Sequence, residues 1–299
     1  MTYHKPVLLN ESVEGLDIKA AGIYADLTFG GGGHSRKILE RLGEKGRLLA
    51  FDQDRDAENN VPDDKRITFI HANFRFLKNF LNYFGIDKLD GILADLGISS
   101  HQIDEKSRGF TFRSNTRLDM RMNTRASLTA EKILNDYPEE DLIRIFKVYG
   151  ELRGAHRFVN KIVKARPEKK ITHTGDLIEI VEGLIPGHLR NKTLARLFQA
   201  LRIEVNDEMG ALKDMLSLSP EVLRSGGRLV VLSYHSIEDR MVKNLIKAGN
   251  IEGRIEKDFF GNPQRNFKAV AKNVLTPDEE ELEKNPRARS AKLRIAERL

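Results

Sequence analysis

Between residues 23 and 96, short apolar runs alternate with amphipathic stretches. Nothing else in the chain narrows its fold as much, because strands each followed by a helix build a mostly parallel sheet with helices on its faces. Four strands are expected, at 23–27, 47–51, 67–70 and 89–94. Ser35 is placed to cap the first crossover helix, which carries Ile38, Leu39 and Leu42 and stops at Gly43. The alternation breaks near Arg108, and no convincing strand follows before Arg202. Helical patterns fill that interval. One starts at Pro138 and shows Leu142, Ile145, Phe146 and Tyr149 on one face; another is capped by Thr174 and ends at Pro186-Gly187. A third stripe, from Leu194 to Leu212, reads as one long helix or as a bent one. The expected organisation is an α/β domain in two parts, 1–107 and 203–299, interrupted by an all-helical insertion at 108–202. Sheet character resumes at 228–233, and 269–274 and 292–296 alternate as paired antiparallel strands do. The acidic run 278–281 reads as a solvated turn or a short helix.

Composition removes several classes of chemistry. The absence of cysteine excludes disulfides, thiolate metal sites and cysteine nucleophiles, and the eight histidines are scattered without a pair at ligand spacing, so no catalytic metal is expected. No apolar stretch approaches the roughly 20 residues of a spanning helix, and Met1-Thr2-Tyr3-His4-Lys5-Pro6 lacks the apolar core of a secretory signal; no membrane partner and a cytoplasmic location are expected. A formal charge of +6 suits a polyanionic partner without selecting one.

The loop Gly30-Gly31-Gly32-Gly33-His34 follows the first strand and opens a helix. Its backbone can approach a ligand without Cβ interference and present N–H groups near a helix N-terminus. Asp52 ends the second strand 20 residues after Gly32, where an acidic side chain can accept from ribose hydroxyls. A cap or turn role is the alternative for Asp52, as for Asp54 and Asp56. Ser35 stands where a dinucleotide loop has its third glycine, which disfavours a pyrophosphate. S-adenosylmethionine has no phosphate, and its amino-acid end asks for an acidic group near the first strand. Asp26 fits that role or that of a structural carboxylate.

The fourth strand ends in Asp95, and functional groups in open α/β sheets gather at carboxyl ends of strands. A carboxylate there can accept an N–H of an exocyclic amine and align its lone pair for methylation; capping the next turn is the alternative. A second polar cluster, 233–240, follows the late strand. It offers His235 as a further catalytic candidate, ranked below Asp95, while Ser236-x-x-Asp239 reads as a helix start.

These motifs, together with others in the same order, resemble the bacterial 16S ribosomal RNA (cytosine-N4)-methyltransferase family, RsmH or MraW. The matching segments are 4–15 (HKPVLLNESVEG), 26–35 (DLTFGGGGHS), 91–102 (GILADLGISSHQ), 108–122 (RGFTFRSNTRLDMRM), 198–206 (FQALRIEVN), 226–242 (GGRLVVLSYHSIEDRMV) and 285–294 (NPRARSAKLR). The resemblance implies a class I S-adenosylmethionine-dependent methyltransferase fold, Rossmann-like, with a mostly parallel sheet, an antiparallel last strand and an inserted helical domain for substrate recognition. It implies N4-methylation of a cytidine in the decoding region of 16S ribosomal RNA of the small subunit. Cofactor contacts carried over are Gly32, Gly33, His34, Asp52, Phe74, Asp95 and Gln102, with Phe74 against the adenine. Tyr234 and Ile237 depart from the family's usual Phe and Leu, Leu152 from a usual Glu, and Arg117 and Asn123 from Pro and Asp.

Arg108, Phe110, Phe112, Arg113, Arg117 and Arg121 interleave bases and aromatics just beyond Asp95 and are the RNA-contact candidates; a hinge with packed phenylalanines is the alternative. Lys161, Lys164, Arg166, Lys169 and Lys170 form a basic cluster or a solvated face. Naked RNA against assembled subunit, and monomer against homodimer, stay open. A nicotinamide-dependent oxidoreductase and a noncatalytic assembly factor are the rival readings.

Overall fold

In the computed structural model, which describes residues 6–299, the seven strands are β1 (Ile23–Asp26), β2 (Arg47–Asp52), β3 (Ile67–His71), β4 (Leu89–Asp95), β5 (Leu223–Ser233), β6 (Phe267–Ala269) and β7 (Lys292–Arg298). His4 and Lys5 of the first matching segment lie outside the described residues. The strands form one sheet in the order β3-β2-β1-β4-β5-β7-β6. Its first five strands are parallel, β7 runs antiparallel to β5, and β6 antiparallel to β7. This is the class I methyltransferase sheet that was expected. Strand order reverses between β1 and β4, and in open α/β sheets ligands bind at that switch point, outside the carboxyl ends of the strands.

The strands read as near-continuous apolar runs because both faces are covered. Leu49, Phe51, Ile92, Leu229 and Val231 point into one core, while Tyr24, Leu48, Leu93, Val230 and Leu232 point into the other. On these faces lie α1 (Leu9–Gly15), α2 (Gly33–Leu39) and α3 (Leu77–Tyr83). Helix α2 starts differently from expectation. Its N-cap is Gly32, in the left-handed region at φ 75°, and Ser35 turns inward to donate its Oγ–H to Asp26 Oδ2 at 2.6 Å. The helix stops at Leu39; Gly43 lies beyond it, its N–H donating to the Ala20 carbonyl.

Residues Ile98–Glu208 form a second compact unit. It holds α4 (Ser100–Asp104), α5 (Ala130–Asp136), α6 (Glu139–Val148), α7 (Ala155–Ala165), α8 (Thr174–Glu182) and α9 (Arg190–Asn206). Leu118, Ile133, Leu142, Phe146, Ile162 and Leu197 are fully buried at its centre. The unit is wider than the expected 108–202 for two physical reasons. Ile98 already packs against this core, and α9 runs on to Asn206, whose side chain fastens the 120–122 loop. Asn206 Oδ1 accepts from Met122 N–H at 2.7 Å and Nδ2 donates to the Met120 carbonyl at 2.8 Å. That clamp holds Met120 at φ 59°, a conformation costly for a side chain with a Cβ. Asn206→Ala is therefore expected to lower stability by about 1–3 kcal/mol in a denaturant titration, since two inward-facing backbone groups lose their partner.

Thr174 is the first residue of α8 rather than its cap; His173 takes the cap position, and Thr174 Oγ1 donates to the Ser114 carbonyl at 2.6 Å. The stripe 194–212 is two helices, broken at Asp207 in the left-handed region (φ 46°), after which α10 (Glu208–Val222) leads into β5. β5 begins ahead of the expected 228 because a register shift at Gly91 absorbs the Gly226-Gly227 pair into the strand. α11 (Ser236–Ala248) and α12 (Glu279–Lys284) complete the elements, the latter capped by Asp278, whose Oδ1 accepts from Glu281 N–H. β6 is shorter than the expected 269–274 and starts earlier: buried Phe267 anchors it, whereas Val270 is exposed and past it only Leu275 bridges to Leu293.

Candidate active site

Three carboxylates stand in a row at the carboxyl ends of adjacent strands: Asp52 on β2, Asp26 on β1 and Asp95 on β4. Burial pushes all three up, Asp26 and Asp52 to about 6 and Asp95 to about 7, and the charge of Asp26 adds to the shift of the other two. No Lys or Arg charge offsets these shifts. The local backbone does offset them in part. Asp26 Oδ1 accepts from Thr28 N–H at 3.1 Å, and Asp52 accepts from Gly30 N–H at 2.7 Å and Asp54 N–H at 2.8 Å. Asp52 thus braces the glycine loop, the turn role that stood as the alternative to a ribose contact.

The loop itself is sorted by these contacts. Gly30 uses its N–H on Asp52 and its carbonyl on Asn60 Nδ2, while the Gly31 carbonyl accepts from Arg36 Nη1 at 2.7 Å. Arg36 Nη2 donates to the Asn60 carbonyl, so the cation nearest the loop is spent on its backbone rather than offered to a phosphate. Gly33 is a glycine for a reason the sequence reading did not foresee: a Cβ there would sit 2.2 Å from Pro6 Cγ. His34 is buried against the sheet, bonded to the Val7 backbone, and its Nδ1 lies 3.9 Å from Asp95 Oδ2. Burial lowers its pKa to about 4, so at neutral pH it is uncharged and brings no cation to Asp95.

Asp95 is held by two contacts that the sequence did not reveal. Its N–H donates to Thr28 Oγ1 at 2.7 Å, and its Oδ1 accepts from the Tyr234 hydroxyl at 2.8 Å. The β4–β5 register sets Asp95 opposite Leu232, so Tyr234, two residues on, reaches across the strand end. Tyr234 is itself buried and pushed well above the ordinary tyrosine value, first by desolvation and then by the Asp95 charge, so it stays a donor. The side chain of Asp95 remains 23% exposed, which leaves it reachable by a substrate.

His235 is not disposed as a free base. It is the N-cap of α11, with Nε2 at 3.0 Å from Glu238 Oε1, and Glu238 Oε2 accepts from Tyr234 N–H at 2.9 Å. The helix-start motif is therefore His235-x-x-Glu238, one residue ahead of the expected serine. Asp239 instead pairs with Arg294 at 2.7 Å and Lys292 at 3.3 Å on β7. Phe74 opens a short 3-10 turn capped by Asn73 and packs, half-buried, against the sheet core.

In the helical unit, Gln102 forms a capping box with Ser99: its Oε1 accepts from Ser99 N–H at 3.1 Å, and its own N–H donates to Ser99 Oγ. The Ser-x-x-Gln spacing was the overlooked signal. The RNA-contact candidates divide. Buried Arg108 donates to the carbonyls of Arg121 and Met122, and Arg121 spans Asp119, Thr124 and Ala126. Phe110 is buried and Phe112 packs edge-on to Phe198, so these four organise the loop from within. Arg113 and Arg117 face outward, the latter with its Nε on Glu131 at 3.2 Å. Of the basic cluster, Arg166 donates to the carbonyls of Leu134 and Tyr137, Lys169 pairs with Asp176, and Lys170 pairs with Glu131. Leu152, at the departure from Glu, is buried in the helical core.

Among the described residues, no helix is long and apolar enough to cross a membrane, and no group of three or more His, Asp or Glu is disposed to hold a metal ion. A row of carboxylates with no Lys or Arg charge beside them, Asp26 buried and Asp52 and Asp95 partly buried, suits a cationic ligand with hydroxyls at the switch point. S-adenosylmethionine, carrying a sulfonium, an ammonium and a ribose diol, is such a ligand; a dinucleotide pyrophosphate is not.

The chain has relatives of high identity over its whole length. The ribosomal RNA small subunit methyltransferase H of Bacteroides thetaiotaomicron is 57% identical over 298 residues, covering 100% of this chain and 98% of its own. The protein of that name from Flavobacterium johnsoniae is 53% identical over 299 residues, covering 100% and 99%. Among solved structures, an rRNA methylase from Streptococcus thermophilus matches with a TM-score of 0.41 at 12% identity, covering 100% of this chain and 99% of its own. The model of the MraW methylase family matches residues 1–299, and with these relatives and this sheet the chain belongs to that family.

Proposed function

We propose that the chain transfers the methyl group of S-adenosylmethionine to N4 of a cytidine in the decoding region of 16S ribosomal RNA, within the small ribosomal subunit and in the cytoplasm. The observation that carries the reading is Asp95: a partly buried, cation-free carboxylate at the switch point, with one oxygen held by Tyr234 and the other free to accept. Bound S-adenosylmethionine supplies an electrophilic methyl on a sulfonium. Asp52 and the loop residues Gly32, Gly33 and His34 would hold it, with Phe74, Asp95 and Gln102 as further proposed contacts. Asp95 accepts one amine N–H of the cytosine, which turns the nitrogen lone pair toward the methyl and offers a place for the proton as the new bond forms. A noncatalytic assembly role would leave this arrangement without a purpose.

The test offers tritiated S-adenosylmethionine with naked 16S RNA and with assembled small subunits lacking the modification, and then maps the methylated base by mass spectrometry. Label on a decoding-region cytidine N4 is expected; label on neither substrate, or on another base, overturns the reading.

Tyr234 adds a measurable property. Its hydroxyl favours the charged form of Asp95, so Tyr234→Phe should move the acidic limb of the kcat–pH profile upward by about one unit, the size of one hydrogen bond to a carboxylate. An unmoved limb would show that Asp95 titration does not govern the rate.

A further inference from the structure

Residues 250–266 leave α11 and rejoin the sheet at β6, and nothing derived above uses them. They form a two-stranded finger. Gln264 N–H donates to the Glu256 carbonyl at 2.8 Å, Lys257 bridges to Pro263, and Asp258 N–H donates to the Asn262 carbonyl at 2.9 Å. The tip is locked by Asp258, whose Oδ1 accepts from Phe260 N–H at 2.9 Å and Asn262 N–H at 2.8 Å, with Gly261 in the left-handed region at φ 84°. The base is fastened by Asn250, bonded to both backbone groups of Arg254, and by fully buried Phe267. On this rigid tip Phe259 and Phe260 are 98% and 85% exposed. Their rings meet edge to face at 88°, so each keeps a flat face open to solvent.

Two bare phenylalanines on a locked turn call for a partner, and the surroundings indicate which kind. Beside the two rings the finger exposes one further large hydrophobic, Ile255 at 60%, so the apolar patch is small for the dry centre of a protein interface. Residues 240–272 carry eight Lys and Arg against three Asp and Glu, a net +5 out of the chain's +6; within 250–266 the count is three against three, so the excess lies on the flanking residues Arg240, Lys243, Lys247, Lys268 and Lys272. Aromatic faces set among cations are how proteins hold unpaired nucleotides without reading their sequence.

We propose that this finger docks on ribosomal RNA, with Phe259 and Phe260 stacking on unpaired bases and Arg254, Lys257 and Arg265 holding neighbouring phosphates. The inference rests on the RNA-substrate reading above. The topology makes the site remote from the chemistry. Asp95 lies opposite Leu232 at the carboxyl edge, whereas β6 begins opposite Arg298, beyond the Arg228–Glu297 pair at the other edge. The four steps from Arg228 to Leu232 alone span roughly 13 Å. The finger therefore anchors the substrate and leaves the reacting base to Asp95.

The test measures methyl transfer into small subunits lacking the modification. Phe259→Ala with Phe260→Ala should raise KM for subunits about tenfold or more, the scale of a lost base stack, with kcat within about twofold and an unchanged melting temperature. Replacing both by Tyr should restore KM, and replacing both by Leu should not. Alanine at Arg254, Lys257 and Arg265 should flatten the dependence of log KM on log salt concentration. An unchanged KM in the double alanine variant beside an active parent overturns the finger's role alone. Full activity of the Leu pair, or loss of a dimer in sedimentation of the Ala pair, assigns the tip to a protein contact and overturns it as well. A parent chain that methylates no subunit removes the substrate reading and the finger's role with it.

Discussion

Asp95→Asn is expected to lower kcat by about 10²–10⁴-fold, the usual contribution of a positioned acid–base group, while leaving the Kd for S-adenosylmethionine within about threefold of the parent. The asparagine keeps the shape and can still accept from Tyr234, but it presents an N–H where the substrate amine needs an acceptor. The pH dependence supplies a second readout. Burial raises the Asp95 pKa to about 7, and only the carboxylate accepts, so parent kcat should climb as pH rises through about 7 and then level off. The Asn variant should show no such limb. Stability moves in the opposite sense. A carboxyl whose folded pKa lies above its unfolded value gives stability that is present below about pH 4 and lost as pH rises through about 7. Relative to the parent, Asp95→Asn should therefore melt higher at pH 8 than at pH 5. A variant that is both inactive and less stable at pH 8 would point to a damaged fold and would remove Asp95 from the chemistry.

The sheet was legible because its signals are local. Short apolar runs, three of the four with an acidic residue at or beside their carboxyl ends, put Asp26, Asp52 and Asp95 at strand ends, and the structure keeps all three there. Contacts set by strand adjacency were not legible. Tyr234 meets Asp95 across 139 positions only because β4 and β5 are neighbours in a particular register. Ser35 was misread for a similar reason: cap chemistry and a hydrogen bond to Asp26 draw on the same hydroxyl, and only the approach of α2 to β1 decides between them. Arg108 and Arg121 looked like phosphate ligands, yet a guanidinium has five donors and can equally gather the carbonyls of its own loop, as both do. Phe259-Phe260 carried no periodicity at all, and only their exposure on a locked turn distinguishes them from core residues.

Asp52→Ala should weaken S-adenosylmethionine binding by about 10–100-fold, the cost of one hydrogen bond to a charged acceptor, with kcat at saturating cofactor reduced only a few-fold. Calorimetric titration beside steady-state kinetics separates the two. The alanine variant alone does not distinguish a ribose contact from a loop brace, because the same carboxylate accepts from Gly30 and Asp54 N–H groups, and both would lose their partner. Asp52→Asn separates them. Its amide oxygen can still accept from Gly30, while Asp54 N–H loses its acceptor, so a pure brace of the glycine loop would leave affinity within a few-fold of the parent, whereas a carboxylate that serves ribose hydroxyls and the ligand's positive charge would lose about tenfold or more. The pH profile of binding gives the same answer independently. Burial raises Asp52 to about 6, and a cationic ligand favours its charged form, so parent affinity should fall as pH drops through about 6. In Asp52→Asn that fall should become shallower, the remainder belonging to Asp26, which titrates in the same range. Parent-like affinity and an unaltered pH slope in the Asn variant would make Asp52 a brace and nothing more.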